Sequence, residues 1–276
     1  MNNNIHACLW FDNNGAEAAS FYCSVFPNST IMSQNPVITA FNLNGLPMKA
    51  LNGGPQFQKN PSVSITVNCN EMSKTHEIWN ALTEGGSVMM PIGNYAWSEC
   101  YGWTNDRYGM SWQINYVPNA SSAISLMPSL LFTNDYYGKA EEAVRFYTSL
   151  FADSTIDVMT AYPKDHPFEG HLMYSSFKLD GRSFVAMDGP GEHKFQFNEG
   201  ISFVVECEDQ EEIDRYWYAL TMEGKENKCG WLQDKFGVSW QVLPKNLGQL
   251  LFQSDDSKKA MQALMRMNKI IISDLQ

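Results

Sequence analysis

The sequence predicts an α+β fold in which a unit of one strand, one helix and three strands recurs along the chain. Two observations lead to this prediction. Gly102–Gln113 and Gly230–Gln241 are identical at seven of twelve positions, and FYCSVFPNSTI at 21–31 is answered by FYTSLFADSTI at 146–156. The order of these segments is the same in both halves, so the chain consists of two related copies.

The helices of each copy are predicted from apolar residues spaced i, i+3, i+4, i+7 and i+8, which form one face of a helix. In the first helix of each copy these residues are Ala18, Phe21, Tyr22, Val25 and Phe26, and Ala143, Phe146, Tyr147, Leu150 and Phe151. In the second helix they are Thr75, Ile78, Trp79 and Leu82, and Ile213, Tyr216, Trp217 and Leu220. A last amphipathic helix is predicted over Asp256–Ile272.

The strands are predicted from short runs with a period of two, bounded by Gly, Pro and Asn. These runs are Val37–Leu43, Val63–Cys69, Met110–Val117, Leu172–Leu179, Ile201–Cys207 and Val238–Leu243. Asp106–Gly109 and Asp234–Gly237 have Asp first and Gly fourth, as type I turns prefer. Each turn therefore predicts a hairpin.

Composition limits the class of protein. The 276 residues have a formal net charge of -11, with 19 Lys and Arg against 30 Asp and Glu, which disfavours nucleic acid as a partner. The six cysteines form no CxxC pair, and no apolar run has the length of a membrane span. We expect a cytoplasmic protein without membrane partners, with one domain over residues 1–121 and another, carrying the C-terminal helix, over 126–276.

Several motifs resemble one known family. They are LWFD at 9–12, FYCSVFPNS at 21–29, LNGGP at 51–55, ISFVVEC at 201–207 and the two Trp-containing hairpins. The chain resembles the glyoxalase/bleomycin resistance/dioxygenase (vicinal oxygen chelate) superfamily, and within it the PhnB-like subfamily, also described as 3-demethylubiquinone-9 3-methyltransferase, in a tandem two-unit form. The resemblance implies four βαβββ modules, paired into cupped sheets whose concave faces hold the site.

The hairpin strands predict where a ligand binds. Alternation along each strand places Ser111 and Gln113 on the face opposite Trp112, and the second copy repeats this pattern. The candidate ligand-binding residues are Trp10, Trp103, Ser111 and Gln113 in the first copy, and Asp188, Trp231, Ser239 and Gln241 in the second. The alternative is that both glutamines only tie neighbouring strands together.

The resemblance also implies where metal ligands would lie. The corresponding positions are His6, 48–52, Ser64 and Gln113 in the first copy, and Met127, 184–188, Ser202 and Gln241 in the second. Ser and Met are poor ligands for the divalent metals of this superfamily. No cofactor is therefore predicted, and a divalent metal held by His6 and Gln113 is the alternative.

Three functions remain open from the sequence. The first is a small-molecule-binding protein with pockets lined by aromatic and amide side chains. The second is an isomerase or lyase in which His6 is the catalytic candidate, and Asp165, His166, Glu169 and His171 offer a further acid–base cluster. The third is a structural role, in which the tandem copy replaces the homodimer that single units form. The chain is expected to be a monomer with an internal pseudo-dimer, or a homodimer. Methyl transfer is not expected, because the glycine-rich turn at Met187–Gly191 precedes no helical pattern.

Overall fold

A computed structural model describes residues 4–252 and 257–276. The strands of the first half are β1 (Ile5–Phe11), β2 (Thr30–Gln34), β3 (Ile38–Leu43), β4 (Leu46–Asn52), β5 (Val63–Cys69), β6 (Ser87–Tyr95), β7 (Ser98–Asn105) and β8 (Ser111–Tyr116). Those of the second half are β9 (Ile124–Phe132), β10 (Thr155–Ala161), β11 (Leu172–Leu179), β12 (Arg182–Asp188), β13 (Ile201–Cys207), β14 (Lys225–Glu226), β15 (Trp231–Gln233) and β16 (Ser239–Pro244).

The helices follow the predicted periodicity. They are α1 (Gly15–Val25), α2 (Met72–Thr83), α3 (Ala140–Leu150), α4 (Gln210–Thr221), α5 (Leu247–Phe252) and α6 (Ser257–Arg266), with short 3-10 turns at Asn134–Tyr136 and Ile272–Leu275. The last helix is shorter than predicted, ends at Arg266, and its predicted first residue, Asp256, lies outside the described residues. None of these helices has the length and apolar composition that crossing a bilayer requires.

The strands form two eight-stranded sheets, and each sheet combines strands from both halves of the chain. The first sheet has the order β14-β15-β16-β13-β1-β4-β3-β2, and the second has the order β10-β11-β12-β9-β5-β8-β7-β6. Antiparallel pairing of β1 with β13 joins the halves of the first sheet, with Cys8 opposite Ser202. Pairing of β5 with β9 does the same in the second sheet, with Ser64 opposite Ser129. The face of each sheet that contains these serines, its polar face, is therefore built from strands of both copies.

The helices cover the apolar faces of the sheets. In the first half, α1 packs on β3 and β4, and the ring of Tyr22 meets the Trp112 indole at 5.3 Å and 62°. In the second half, Tyr147 meets Trp240 at the same distance and angle. Both indoles are fully buried, as the predicted alternation requires. The two copies thus have the same core.

Each Trp-containing hairpin is held by one buried aspartate. Asp106 accepts hydrogen bonds from the amides of Tyr108 (2.8 Å) and Met110 (3.0 Å) and from the indole of Trp112 (2.8 Å). The amide of Gly109 also donates to the carbonyl of Asp106 (3.0 Å), which closes the predicted turn. The conserved spacing from Asp to Trp therefore joins the turn to the core.

Asp234 repeats this arrangement in the second copy. It accepts hydrogen bonds from the amides of Phe236 (2.9 Å) and Val238 (3.0 Å) and from the Trp240 indole (2.8 Å). The hydroxyl of Tyr147 on α3 donates a further bond of 2.6 Å. Burial raises the pKa of Asp234 to about 6, although these donors lower it in part. The carboxylate links turn, strand and helix.

We expect Asp234→Ala to lower the free energy of unfolding by about 3 kcal/mol, because the substitution leaves several buried donors without an acceptor. Urea denaturation followed by tryptophan fluorescence measures this change. Asp135→Ala, at an exposed position, is the control and should change stability by less than about 0.5 kcal/mol. Equal effects of the two substitutions would contradict the assigned role.

The same carboxyl group gives a pH dependence. Because the folded-state pKa of Asp234 is raised above its unfolded value, the folded protein binds this proton more tightly, and the resulting stability is lost as the pH rises through about 6. Relative to Asp234→Asn, which cannot titrate here, the wild type should gain about 1 kcal/mol of unfolding free energy between pH 7 and pH 5. Parallel pH profiles of the two proteins would refute this.

Candidate functional site

Within the described residues, most side chains that could bind a ligand or transfer a proton lie on the polar face of the first sheet. It comprises His6, Cys8 and Trp10 of β1, Lys49 of β4, Ser202 and Glu206 of β13, Trp231 of β15, and Ser239 and Gln241 of β16. Register places them on one face, since Cys8 lies opposite Ser202, and Trp231 lies opposite Gln241. This set combines residues that the sequence analysis assigned to separate copies.

The corresponding face of the second sheet is a closed hydrogen-bond network. Gln113 donates from Nε2 to Ser64 Oγ (2.8 Å) and accepts at Oε1 from the Tyr101 hydroxyl (2.7 Å). The Trp103 indole donates to Ser111 Oγ (2.8 Å). Here the polar side chains of the hairpin satisfy one another and join neighbouring strands.

The first sheet retains only part of this network. Gln241 donates to Ser202 Oγ (2.9 Å), as Gln113 does to Ser64. Cys229, however, stands where the second sheet has Tyr101, and Ser239 Oγ has no hydrogen-bond partner although it is buried. Buried polar atoms are nearly always paired, so this face contains bonding capacity that the protein does not use.

His6 contributes a second unpaired atom to the same face. Its side chain is 7% exposed, and its Nε2 has no hydrogen-bond partner. Glu206 Oε1 is 3.8 Å away, too far for a hydrogen bond, and accepts instead from Lys49 Nζ at 2.8 Å. Burial, with the nearby positive charges of Lys49 and Arg182, holds the pKa of His6 well below its usual value. The ring is neutral at pH 7.

The side chains of two tryptophans are in contact on this face. The rings of Trp10 and Trp231 meet edge to face with centroids 5.8 Å apart, although β13 and β16 separate their strands in the sheet. Trp10 is held in place, since its indole donates to the Gly54 carbonyl (2.7 Å) and lies so close to Gly53 that a Cβ there would be 2.1 Å from the ring. The LNGGP motif therefore positions Trp10, whereas no hydrogen bond of the Trp231 indole is present in the described chain.

Cys8 lies between these groups. Burial raises the pKa of its thiol, while neighbouring Gln241 and Ser202 lower it in part. The thiol is therefore protonated at pH 7. Sequence reasoning did not single out Cys8 or Lys49, although the period of two that starts at His6 leads directly to Cys8.

Asp188 lies away from both polar faces. Its carboxylate accepts hydrogen bonds from the amides of Gly138 (2.8 Å) and Leu172 (2.8 Å). It therefore holds the start of α3 and the end of the 162–171 loop. Asn52 has the matching position in the first copy, where it accepts from the Gly15 amide (2.9 Å) at the start of α1.

The positions that the resemblance implies for a metal do not fit a divalent cation. His6 lies in the first sheet and Gln113 in the second, so the structure does not place them in one sheet. Within the first sheet, Ser202, Gln241 and Lys49 occupy the positions that would join His6, and none of them is a carboxylate or an imidazole. The nearby Glu206 carboxylate is already paired with Lys49. The described ranges contain no group of three or more His, Cys, Asp or Glu side chains that could hold a metal.

The long loop after β10 is organised by its own contacts. His166 stacks on Tyr162 with centroids 4.6 Å apart, and the His171 ring contacts that of Tyr137 with centroids 4.4 Å apart and a tilt of 33°. Glu169 accepts a hydrogen bond from the amide of Asp165 (3.0 Å). The side chains of His166, Glu169 and His171 therefore have structural contacts within the loop or with Tyr137. The glycine-rich turn at 187–191 leads into an irregular segment that ends at β13, not into a helix.

Comparison with known proteins agrees with this architecture. The profile of the family described as 3-demethylubiquinone-9 3-methyltransferase matches residues 3–115 and 124–243. A PhnB protein from Bacillus cereus is 29% identical, with 41% of this chain and 98% of that chain covered and a TM-score of 0.39. Glyoxalase I from Zea mays is 10% identical, with 87% and 91% covered and a TM-score of 0.57, which shows the fold. No protein of curated function matches the chain.

The difference between the two faces gives a matched pair of substitutions. Ser239→Ala should leave the unfolding free energy unchanged or raise it by up to about 1 kcal/mol, because it removes an unpaired buried hydroxyl. Ser111→Ala should lower it by about 1 kcal/mol, because the Trp103 indole loses its acceptor. Urea denaturation of both variants measures the difference, and equal losses would show that Ser239 is bonded in the folded protein.

Proposed function

This chain is a member of the 3-demethylubiquinone-9 3-methyltransferase family, and we propose that it binds a small planar organic molecule on the polar face of the first sheet. The main support for this proposal is that two buried atoms, His6 Nε2 and Ser239 Oγ, have no hydrogen-bond partner. Both lie on a face that also contains Trp10 and Trp231. A ligand that bonds to both atoms would complete the network that Tyr101 and Trp103 complete in the second sheet.

The chemistry of the face favours a neutral ring with oxygen substituents. Neutral His6 and the Ser239 hydroxyl each donate or accept, and Lys49 is already neutralised by Glu206. Flat aromatic ligands stack well against indoles. The family description refers to demethylubiquinone, whose ring has this character, although the segment after Met187–Gly191 gives no support to methyl transfer.

The path to the site is through Trp231. Its ring is half-buried and touches Trp10 edge to face, whereas Trp10 is held by Gly54 and by an edge contact with Phe57 at 5.0 Å. We infer that a ligand displaces the Trp231 ring and not the Trp10 ring, because Trp10 makes a hydrogen bond that Trp231 lacks in the described residues.

We expect methoxyhydroquinone, a planar ring with oxygen substituents, to bind the wild type saturably in isothermal titration calorimetry. Trp231→Ala should weaken binding at least about tenfold, which corresponds to about 1.4 kcal/mol of stacking and burial. Trp103→Ala, at the equivalent position of the second sheet, is the matched control and should bind as the wild type does.

Native mass spectrometry of the protein as purified provides an independent measurement. An organic adduct that is present on the wild type and on Trp103→Ala, and lost from Trp231→Ala, supports the assignment and gives the mass of the natural ligand. Loss of binding in the Trp103 variant but not in the Trp231 variant would place the ligand on the second sheet and refute the proposal.

A further inference from the structure

A cavity of about 620 Å³ lies between the two segments that connect paired modules. One segment, residues 53–62, joins β4 to β5, and the other, residues 189–200, joins β12 to β13. Its walls are Gln58, Lys59, Asn60, Asn134, His193, Lys194, Phe195, Gln196, Phe197 and Asn198. None of these residues belongs to the polar face of either sheet, so the cavity is separate from the proposed ligand site.

The two segments hold each other in place by side-chain amides. Asn60 donates to the Gln196 carbonyl (2.9 Å), and Asn198 donates to the Gln58 carbonyl (3.0 Å). The buried ring of Phe197 anchors the second segment against Phe132 with centroids 5.0 Å apart. Contacts within the protein therefore fix the position of the cavity walls without a ligand.

The charge of the cavity is opposite to that of the protein. The chain carries a net charge of -11, yet the lining includes Lys59 and Lys194 and no Asp or Glu. The neighbouring acidic residues in the sequence do not line it. These residues are Asp135, Glu192 and Glu199. A cavity with cationic and amide walls and no carboxylate is suited to an anion.

Lys59 is the central cation of this region. Its Nζ donates to the Trp10 carbonyl (2.6 Å) and lies 3.7 Å from the centroid of the Phe11 ring. No ion pair of Lys59 or Lys194 is found within residues 4–252 and 257–276. Burial lowers the pKa of Lys59 to about 8, and the charge of Asp106 raises it in part. Lys59 is thus a partly buried ammonium without a bonded counterion.

A second cavity of about 420 Å³ meets the other side of Lys59 and Asn60. Arg107 and the glycines Gly85, Gly86 and Gly109 also line it. Asp106 borders this cavity as well, but its carboxylate oxygens accept from the Tyr108 and Met110 amides and from the Trp112 indole. Two cavities with basic residues in their walls, Lys194 in the first and Arg107 in the second, therefore share Lys59 as a lining residue.

We propose that the cavity between residues 53–62 and 189–200 binds a small oxyanion, either inorganic phosphate or a phosphate monoester, through Lys59 and Lys194. Gln58 and Gln196 also line the cavity, and their side-chain amides can donate to a phosphate oxygen. The anion replaces the counterion that Lys59 lacks.

Isothermal titration calorimetry with inorganic phosphate at pH 7 tests the proposal, with sodium chloride holding the ionic strength constant. We expect saturable binding to the wild type and a loss of at least about tenfold in Lys59→Met and in Lys194→Met, as for a charged hydrogen bond. Lys178→Met removes an exposed lysine on β11 and should bind as the wild type does. Absence of saturable binding, or equal affinity in all variants, overturns the proposal.

A second measurement avoids any effect of substitution on folding. The rate at which acetic anhydride modifies Lys59 in the wild-type protein is followed by peptide mass spectrometry. Phosphate should slow this rate and chloride should not, and an unchanged rate overturns the proposal. Tighter binding of glycerol phosphate than of phosphate identifies a phosphorylated metabolite as the ligand, and the reverse order identifies free phosphate. Methoxyhydroquinone should leave both measurements unchanged, which separates this site from the proposed ligand site.

Discussion

One buried carboxylate in each copy determines how the hairpin, the sheet and the helix fit together. Asp106 and Asp234 both bond the turn that follows them and the indole that lies six residues further on. This bonding sets the direction of the last strand, which in turn decides that Gln113 and Gln241 lie on the polar face. The repetition of the motif is therefore explained by the core, and the position of the polar face depends on it.

The two polar faces show how a duplicated structure diverges. In the second sheet, Tyr101 and Trp103 donate hydrogen bonds to Gln113 and Ser111, so the polar side chains of this face have a structural role. The first sheet has Cys229 in place of the tyrosine, and its serine and histidine keep unused bonding capacity. Lys59 lines the cavity between residues 53–62 and 189–200 and also donates to the backbone of Trp10 in the first sheet. The two faces thus differ in bonding: the hairpin side chains of the second sheet bond to one another, whereas two buried polar atoms of the first sheet have no partner.

The local structure could be predicted closely from the sequence. The strands Val63–Cys69, Leu172–Leu179 and Ile201–Cys207 have the predicted limits, because alternation bounded by Gly, Asn and Pro is a local signal. The partners of the strands could not be predicted, because alternation identifies faces and not neighbours. This is why His6 and Gln113 were grouped together although they lie in different sheets. Asp188 was assigned to the wrong face, since it lies with the buried Phe184 and Ala186 on the face of β12 that meets the helix, where its carboxylate accepts from backbone amides.

Module pairing also governs the order in which the molecule can assemble. The second sheet, β5 to β12, comes from one continuous stretch of chain, whereas the first sheet needs β1 to β4 and β13 to β16, which lie at opposite ends of the described chain. During synthesis, β1 must therefore wait for β13, close to 200 residues later, before its antiparallel neighbour exists. The pairing of β1 with β13 closes a long loop and is therefore slow. Its entropic cost is low once the second sheet has brought the two ends of the loop together. The face that carries His6 and Ser239 therefore cannot be complete before β16 has been synthesised, whereas a chain truncated after β12 already contains every strand of the second sheet.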